Sequence, residues 1–305
     1  MNTVITQSPE RRGGGWRTYA RSIRVHQWAK NLLVFMPLIT AGLVLHPDAL
    51  GRLFLVFLAF NCVASGGYLV NDLRDLEADR RHPTKRNRPL ASGAMPLSHG
   101  YIGAFVLTIG GLALAVYIKP LVGLMLLGYL VLTLTYSFAL KKVIVVDAVT
   151  LAALYAMRVF AGAAAIEVHP SPWLLAFCTF LFFSLALVKR CTELIIVADA
   201  QQLEAHGRDY RVLDAPYLQS MGIASGYIAV LVIALYLDSE SALSQYRNPQ
   251  FLWAMCPLFL YWVSRLWIKT GRHEMHDDPL VYSFKDRTSW IFFISVACVW
   301  GLARF

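Results

Sequence analysis

The amino-acid sequence predicts an all-α, polytopic membrane protein with nine transmembrane helices. Of its 305 residues, 57% are hydrophobic and only 15% are charged, and the mean hydropathy is +0.51. Water-soluble domains contain about 25% charged residues. The apolar residues also fall in long stretches, and about 17 to 25 such residues are needed to cross a bilayer as a helix. The composition therefore excludes an ordinary soluble protein.

Nine apolar stretches are long enough to span a membrane. They run near 32–50, 52–71, 100–118, 121–140, 143–166, 173–190, 222–238, 250–268 and 288–304. Pro37 weakens the first span because proline removes a backbone hydrogen-bond donor, and Lys119-Pro120 forms the short turn between the third and fourth. We predict a basic leader over residues 1–30 and a single transmembrane catalytic domain over residues 31–305.

The distribution of positive charge predicts the orientation in the membrane. With the N-terminus inside, 23 of the 28 Lys and Arg residues lie on the inner side, four lie on the outer side, and Arg158 lies within a span. This asymmetry follows the positive-inside rule and favours an odd number of spans. Residues 1–30 lack the apolar stretch of a signal peptide, so we expect the N-terminus to stay in the cytosol. Because topology accounts for the net charge of +9, no nucleic acid is expected as a partner.

The cysteines predict no metal or redox site. They are scattered through the chain as Cys62, Cys178, Cys191, Cys256 and Cys298. This pattern lacks the paired spacing of zinc or thiol redox motifs. We expect all five to be buried packing residues.

An Asp-rich segment at the end of the second span predicts a site for magnesium and a diphosphate. Asn71, Asp75 and Asp79 are spaced i, i+4 and i+8, and Asp72 lies three residues before Asp75, so one helix would place all four on one stripe. Neighbouring carboxylates at a membrane boundary need a cation, and Mg²⁺ prefers carboxylate oxygens shared with substrate phosphates. We predict that Asp72, Asp75 and Asp79 are catalytic metal ligands and that Asn71 assists them.

Basic residues follow the acidic segment and extend the predicted site. Lys85 and Arg88 would bind phosphate oxygens beyond the metal, and Pro83 and Pro89 would turn the segment back toward the acids. The alternative is a solvated helix end whose charges form i,i+4 ion pairs. The length of the combined acidic and basic pattern disfavours that alternative.

The string Asn71-Asp72-x-x-Asp75-x-x-x-Asp79, followed by Lys85 and Arg88-Pro89, resembles the first Asp-rich motif of the UbiA superfamily of intramembrane prenyltransferases. The resemblance covers nearly the whole chain. It implies nine transmembrane helices around a central cavity, with catalysis at Asp motifs on the cytosolic side. Members that transfer a prenyl group carry a second DxxxD motif after the sixth span, where this chain has KRCTEL at residues 189–194.

The KRxxEL string and two further strings resemble the decaprenyl-phosphate phosphoribosyltransferase branch of that superfamily. The further strings are YSxxLK, from Tyr136 to Lys141, and RxxQWxKN, which comprises Arg24, Gln27, Trp28, Lys30 and Asn31. The resemblance implies phosphoribosyl diphosphate as the donor and a polyprenyl phosphate as the acceptor. It also implies a bacterial plasma membrane, a cytosolic active site and a role in cell-envelope biosynthesis.

Cationic residues near the end of the sixth span are candidates for binding the acceptor phosphate. Lys189, Arg190 and Lys30 would match its charge without removing its nucleophilic oxygen. Interfacial anchoring is the alternative for Lys189 and Arg190. Glu193, one turn after Lys189, would either orient that lysine or form an ordinary i,i+4 pair.

Three further residues, Arg158, Tyr136 and Lys141, are candidates for contact with substrate phosphate. Arg158 lies in an apolar span, where an arginine faces a polar cavity or a paired acid. It would contact substrate phosphate or form a structural pair with Asp147 or the Asp-rich helix. Tyr136 and Lys141 end the fourth span and would contact substrate phosphate, although Lys141 and Lys142 would also serve as topology signals.

Two long loops complete the predicted cytosolic face. Residues 191–221 form either a lid, with an amphipathic stretch ending near His206-Gly207, or a passive connection. Residues 273–287 contain His276, Asp277 and Asp278, whose spacing is not that of a zinc site. A structural loop is the favoured interpretation.

The leading hypothesis is Mg²⁺-dependent transfer of 5-phosphoribose from phosphoribosyl diphosphate to a polyprenyl (decaprenyl-type) phosphate, with release of diphosphate. The alternative reaction is prenyl transfer from a polyprenyl diphosphate to an aromatic quinone precursor, against which the missing second acidic motif counts. A third hypothesis, from another class, is a non-catalytic transporter or lipid scaffold that binds cations at the acidic cluster. Membrane lipids are expected partners, and a homo-oligomer is left open.

Overall fold

The computed structural model describes residues 15–82, 85–199, 209–275 and 278–304, and in these ranges it contains helices and no strands. The α-helices are α1 (Trp16–Ser22), α2 (Met36–Thr40), α3 (Pro47–Arg74), α4 (Leu76–Arg81), α5 (Leu97–Ile118), α6 (Pro120–Phe138), α7 (Val146–Ala165), α8 (Pro172–Asp199), α9 (Ala215–Leu237), α10 (Glu240–Gln245), α11 (Met255–Gly271), α12 (Pro279–Lys285) and α13 (Arg287–Arg304). Short 3-10 helices cover Val25–Phe35, Lys85–Asn87, Leu140–Lys142, Val212–Asp214 and Pro249–Ala254. The predicted all-α class is confirmed.

Seven helical segments in the described ranges are long and apolar enough to cross a membrane. They are Pro47–Arg74, Leu97–Ile118, Pro120–Phe138, Val146–Ala165, Pro172–Asp199, Val212–Leu237 and Pro249–Gly271. Each corresponds to one of the nine predicted spans, from the second to the eighth. The protein is therefore an integral membrane protein with at least this many apolar helices. α13, with 18 residues, lies where the ninth span is predicted.

The first predicted span, 32–50, does not form one continuous helix. The chain instead forms the 3-10 helix Val25–Phe35 and the five-residue α2, and then turns at Gly42, whose φ is +68°. This backbone conformation favours glycine because it has no Cβ. α3 follows and begins at Pro47. Backbone N–H groups in the first turn of a helix have no acceptor within the helix, so a proline there loses no hydrogen bond.

Two predicted loops are partly helical. α8 continues to Asp199, so the predicted 191–221 loop begins as a regular extension of the sixth span. Residues 200–208, which include His206 and Gly207, lie outside the described residues, so the predicted lid stays a prediction. The predicted 273–287 loop contains α12.

α7 joins two apolar cores. Leu154 and Ala161 pack with buried residues of α3 and α6 in the first core. Tyr155 and Val159 pack in the second core with residues of α8, α9 and α11. Close packing around α7 depends on Gly162, because a Cβ there would overlap the carbonyl oxygen of Val34. The absence of that Cβ lets the segment from 25 to 40 lie directly against α7.

The cysteines are less uniformly buried than the sequence suggests. Cys178 and Cys191 are buried, Cys62 and Cys256 are half-buried, and Cys298 is exposed on α13. The expectation of five buried cysteines is thus wrong for Cys298. A cysteine behaves as a small apolar side chain, so the outer face of a membrane helix accommodates it.

Candidate functional site

The sequence motifs meet at one end of the helix bundle, around a cavity of about 300 Å³. The end of α3, the end of α8, the 3-10 helix Val25–Phe35 and the residue preceding α12 all contribute to its wall. The cavity is lined by Arg24, Gln27, Lys30, Tyr68, Lys189, Thr192, Glu193, Ile196 and Asp278. Polar residues that are far apart in sequence therefore form one site.

The acidic cluster, as we call Asp72 and Asp79 with Arg24 and Arg88, lies beside this cavity. The two carboxylates are buried, with side chains 5% and 4% exposed. Arg88 Nη1 donates to both, at 3.1 Å from Asp72 Oδ1 and 2.6 Å from Asp79 Oδ2. Arg24 Nη2 donates to Asp72 Oδ1 at 2.6 Å. A single guanidinium thus bridges the two acids, and a second neutralises one of them.

The prediction that four residues share one helical stripe is wrong for Asp75. α3 ends at Arg74 and α4 begins at Leu76, with Asp75 between them at φ −90° and ψ 13°. This break turns the Asp75 carboxylate toward Arg74, whose Nε donates to it at 2.9 Å. Within the described ranges, no three His, Cys, Asp or Glu residues come together as a metal-binding group.

The oxygen atoms of this region nevertheless fit a magnesium ion. Asn71 Oδ1 is buried and accepts no hydrogen bond from the described residues, while Asn71 Nδ2 donates to Ser137 Oγ at 3.2 Å. Asp72 and Asp79 are held together by a cation, and Mg²⁺ prefers such carboxylate and carbonyl oxygens. In this structure the guanidinium of Arg88 supplies the positive charge between these two carboxylates.

The RxxQWxKN string fastens the 3-10 helix Val25–Phe35 to α3. Trp28 Nε1 donates to Ser65 Oγ at 3.2 Å, and Asn31 Nδ2 donates to Asn61 Oδ1 at 2.6 Å. These contacts fix the helix on one side and leave Lys30 directed into the cavity. The motif thus has both structural members and members that line the site.

The basic cluster, as we call Lys30, Lys189, Asp278 and Tyr155, contributes its lysines and Asp278 to the wall of the cavity. Asp278 Oδ2 lies 2.8 Å from Lys30 Nζ and 3.5 Å from Lys189 Nζ. The Tyr155 hydroxyl donates to the same carboxylate, at 3.0 Å from Oδ2 and 3.2 Å from Oδ1. Burial by itself would raise the pKa of Asp278, but the two lysines and the hydrogen bonds lower that pKa well below its ordinary value.

Sequence reasoning missed Asp278 as a site residue. Asp278 belongs to the HDDP string, but Lys30 and Lys189 lie far from it in the sequence, so no sequence spacing indicates that the three residues meet. Its neighbours His276 and Asp277 lie outside the described residues.

Lys189 and Arg190 point in different directions. Lys189 lines the cavity, whereas Arg190 is only 1% exposed and its Nε lies 2.8 Å from Asp147 Oδ2. Arg190 also pairs with Glu193 at i,i+3. Tyr210 donates to Asp147 Oδ1 at 2.6 Å. This degree of burial is not that of an interfacial anchor, so Arg190 holds α8 to α7.

Arg158 forms a buried network instead of an ion pair with Asp147. Its Nε donates to Asn31 Oδ1 at 2.7 Å and its Nη2 donates to the Tyr129 hydroxyl at 2.9 Å. Its guanidinium also lies 4.8 Å from the centre of the Tyr129 ring, a cation–π contact. Asp147 pairs with Arg190, as described above.

The remaining predicted residues surround the site at different depths. Tyr136 accepts a hydrogen bond from Arg190 Nη2 at 3.2 Å, and Lys85 is exposed in the 3-10 helix that follows the acids. Lys141 is half-buried, and its burial lowers its pKa although the nearby Asp75 opposes that shift. Tyr136 is thus tied to α8, and Lys141 lies near the acids.

These features define a helical membrane protein with an acidic cluster and a basic cluster at one end of the bundle. The model of the UbiA prenyltransferase family matches residues 34–296, and the chain belongs to that family. The resemblance stated from the sequence is thereby confirmed. Family membership supports an enzyme, a transferase embedded in the membrane.

Curated relatives give a finer comparison. The uncharacterized protein y4nM of Sinorhizobium fredii is 35% identical over 98% of this chain, which spans 58% of that protein. Nodulation protein NoeC of Azorhizobium caulinodans is 34% identical over 94% of this chain and 91% of its own length. Decaprenyl-phosphate phosphoribosyltransferase of Mycobacterium tuberculosis is 38% identical over 63% of this chain and 64% of its own length.

Solved structures share the fold. A UbiA homolog from Archaeoglobus fulgidus bound to GPP and Mg²⁺ superposes with a TM-score of 0.68 at 16% identity, covering 93% of this chain and 99% of its own. A digeranylgeranylglyceryl phosphate synthase gives a TM-score of 0.63 at 18% identity, with 94% and 97% coverage. At these identities the likeness shows the fold alone.

Proposed function

We propose that the protein transfers 5-phosphoribose from phosphoribosyl diphosphate to a polyprenyl phosphate and releases diphosphate. The observation that carries this proposal is the end of α8, where Lys189 and Lys30 face a cavity beside a separate pair of buried acids. Acids on one side suit a metal-bound diphosphate, and lysines on the other suit a second phosphate. The phosphoribosyltransferase relatives support the same reaction.

The acidic cluster would bind the donor. Asp72 and Asp79, with the free carbonyl oxygen of Asn71, are proposed to hold Mg²⁺, and Asp75 is a further candidate ligand. A bound Mg²⁺ would neutralise negative charge that develops on the departing diphosphate. Arg24 and Arg88 already lie at these acids, so both are placed to bind donor phosphate oxygens beside the metal.

Lys85 and Lys141 are proposed to add positive charge around the donor. Lys85 is exposed beside the acidic segment, and Lys141 lies near Asp75. Both are flexible ammonium groups, which suit contacts with phosphate oxygens of varying geometry.

Lys30 and Lys189 would bind and orient the acceptor. An oxygen of the acceptor phosphate attacks carbon one of the ribose, and the bond from that carbon to the diphosphate oxygen breaks. A phosphate monoester is already ionised near neutral pH, since its second pKa is about 6. The chain therefore needs no general base for this step, and its main contribution is to position the two substrates.

Four predicted substrate ligands are better assigned a positioning role. Tyr136, Arg158, Arg190 and Glu193 bond to protein partners in the structure. We propose that they act through the helices they connect, because these contacts fix α6, α7 and α8 around the cavity. Direct binding of the acceptor phosphate is left to Lys30 and Lys189, which line the cavity.

The orientation and the span count complete the proposal. We propose that the clusters face the cytosol of a bacterial plasma membrane, in agreement with the positive-inside asymmetry. The segment from 25 to 40 and α13 would then complete nine spans around a central cavity. The isoprenoid chain of the acceptor would lie within the bilayer.

Prenyl transfer is the rival reaction, because the Archaeoglobus fulgidus homolog was solved with GPP and Mg²⁺. Purified protein in lipid nanodiscs with Mg²⁺ should convert labelled phosphoribosyl diphosphate and decaprenyl phosphate into a phosphoribosylated lipid, identified by its mass. Parallel reactions supply decaprenyl diphosphate and 4-hydroxybenzoate. Consumption of the prenyl diphosphate without any phosphoribosylated lipid would establish the rival instead. Folded protein that is inactive in both reactions would favour a transporter or scaffold.

A further inference from the structure

Asp278 places a buried carboxylate where the proposed function puts an anion. Its side chain is 5% exposed, and it lies between Lys30 and Lys189 at the wall of the cavity. Both ammonium nitrogens approach the same oxygen, Oδ2, while Tyr155 donates to the carboxylate from a third direction. Such a carboxylate has a fixed position and a fixed charge.

We propose that Asp278 is a specificity-determining residue of the acceptor site, which makes the two-lysine site select a lipid monophosphate over a lipid diphosphate. The inference rests on the proposed function and deepens it. Nothing in the reaction chemistry itself requires this acid, so its role lies in the choice of the bound anion.

Asp278 fixes the relative position of the two lysines. Two ammonium groups from different elements, the 3-10 helix Val25–Phe35 and α8, repel each other when they face one cavity. Asp278 Oδ2 holds the ammonium groups of Lys30 and Lys189 close to each other at the cavity wall. A phosphate oxygen entering beside Asp278 would therefore meet both lysines without reorganising them.

Asp278 also sets the net charge of the acceptor site. Lys30, Lys189 and Asp278 together carry one net positive charge, and loss of the acid would leave two. A phosphate monoester carries about −1.5 to −2 charges at neutral pH, and a diphosphate monoester carries more. The additional positive charge would favour the diphosphate more than the monophosphate, since complementary charge sets specificity.

Retention of the product diphosphate would depend on the same net charge. Diphosphate is also the proposed leaving product, so an acceptor site with excess positive charge would retain it. Asp278 lowers the net positive charge of the two-lysine site, which would weaken the binding of diphosphate there and still allow the acceptor phosphate to bind. The acidic cluster, on the other side of the site, would remain the place for the diphosphate group.

Binding measurements without donor and without metal test this inference directly. Farnesyl phosphate and farnesyl diphosphate are titrated into the full-length protein in nanodiscs with EDTA, so that no metal-bound diphosphate forms at the acids. Relative to wild type, Asp278→Asn should shift the ratio of the two Kd values toward the diphosphate by about tenfold, which corresponds to about 1.4 kcal/mol. Asp278→Glu should keep the ratio near that of wild type.

Asp286 offers a matched control. It follows the other end of α12 and pairs with Arg265 at 2.7 and 3.0 Å, away from the residues that line the cavity. Asp286→Asn removes a comparable ion pair next to the same helix, so it should leave the Kd ratio unchanged. An equal shift in both asparagine variants would overturn the inference, because a general loosening of α12 would then explain it.

A second variant covers the case in which Asp278→Asn does not fold. Lys189→Met lowers the net charge of the cluster, so it should shift the Kd ratio in the opposite direction, toward the monophosphate. A ratio within twofold of wild type in folded Asp278→Asn, or in Lys189→Met if the former is unfolded, would overturn the inference. Failure of the wild type to transfer phosphoribose would instead remove the proposed function, and the binding ratio would still be measured.

Discussion

The acidic cluster and the basic cluster are arranged in the same way with opposite charges. In the first, one guanidinium, that of Arg88, bridges the buried carboxylates of Asp72 and Asp79. In the second, one carboxylate, that of Asp278, bridges the ammonium groups of Lys30 and Lys189. Each bridging group lies between two like charges and offsets their mutual repulsion.

The difference in sign indicates what each cluster binds. A pair of acids, with an Asn71 oxygen that accepts no hydrogen bond within the described part of the chain, suits a metal cation. A pair of lysines at a cavity wall suits an anion. The contrast supports two separate phosphate sites, one that needs a metal and one that does not.

The largest expected effect concerns the acidic cluster. Asp72→Asn should lower Mg²⁺-dependent release of diphosphate on the order of a thousandfold, because it removes a carboxylate from the site where charge develops. Release of diphosphate and lipid product would both be measured. Asp48→Asn is the matched control, since Asp48 is exposed at the other end of the same helix α3. Near-normal activity of Asp72→Asn would remove this residue from the proposed metal site.

The second prediction separates Arg190 from its neighbour. Arg190→Met should cost about 3 kcal/mol of unfolding free energy, because it leaves the buried Asp147 without its guanidinium partner. The melting temperature in detergent should fall accordingly. The double variant Arg190→Met with Asp147→Asn should recover part of the loss. If Arg190→Met were as stable as wild type and had only a higher KM for the acceptor, Arg190 would be a substrate ligand after all.

The third prediction concerns Lys189 and the acceptor. Lys189→Met should raise the KM for polyprenyl phosphate about tenfold, the effect of losing roughly one charge-assisted hydrogen bond. The KM for phosphoribosyl diphosphate should stay close to its wild-type value. Lys142→Met, which removes an exposed lysine near the end of α6, is the control and should change neither constant. An increase confined to the donor KM would place Lys189 in the other phosphate site.

The smallest expected effect is a pH dependence of stability. The pKa of Asp278 is lowered in the folded protein: burial opposes the shift, and Lys30 and Lys189 outweigh burial. Its stabilising contribution is therefore complete above the ordinary aspartate pKa of about 3.9 and is lost as the pH falls toward the lower folded value. The gap between the melting temperatures of wild type and Asp278→Asn should stay constant from about pH 6 to 5 and begin to narrow as the pH falls below about 4. A gap that does not narrow would contradict the assigned charge state.

Much of the fold was predictable from the sequence because apolar length is a strong signal in membranes. The second to eighth predicted spans all correspond to long apolar helices. The first predicted span is not one continuous helix, because its apolar residues continue on both sides of the turn at Gly42. Hydropathy does not detect a change in backbone direction when apolar residues lie on both sides of the turn.

The site was predictable where its chemistry lies in one short segment. Asp72, Asp79 and Arg88 come together as the spacing suggests. The orientation of Asp75 depends on a break between α3 and α4 that no proline or glycine marks in the sequence. Asp278 meets Lys30 only through the tertiary fold, so local patterns could not reveal that pair.

The 3-10 helix Val25–Phe35 has a consequence for how the protein is made. Its polar side chains find their partners on elements that follow it in the sequence and are therefore synthesised later. Asn31 bonds to α3 and α7, and Lys30 pairs with Asp278, close to the C-terminus. Insertion into the membrane therefore cannot complete the site helix by helix, because the lysine pair acquires its carboxylate only when the segment before α12 has been translated.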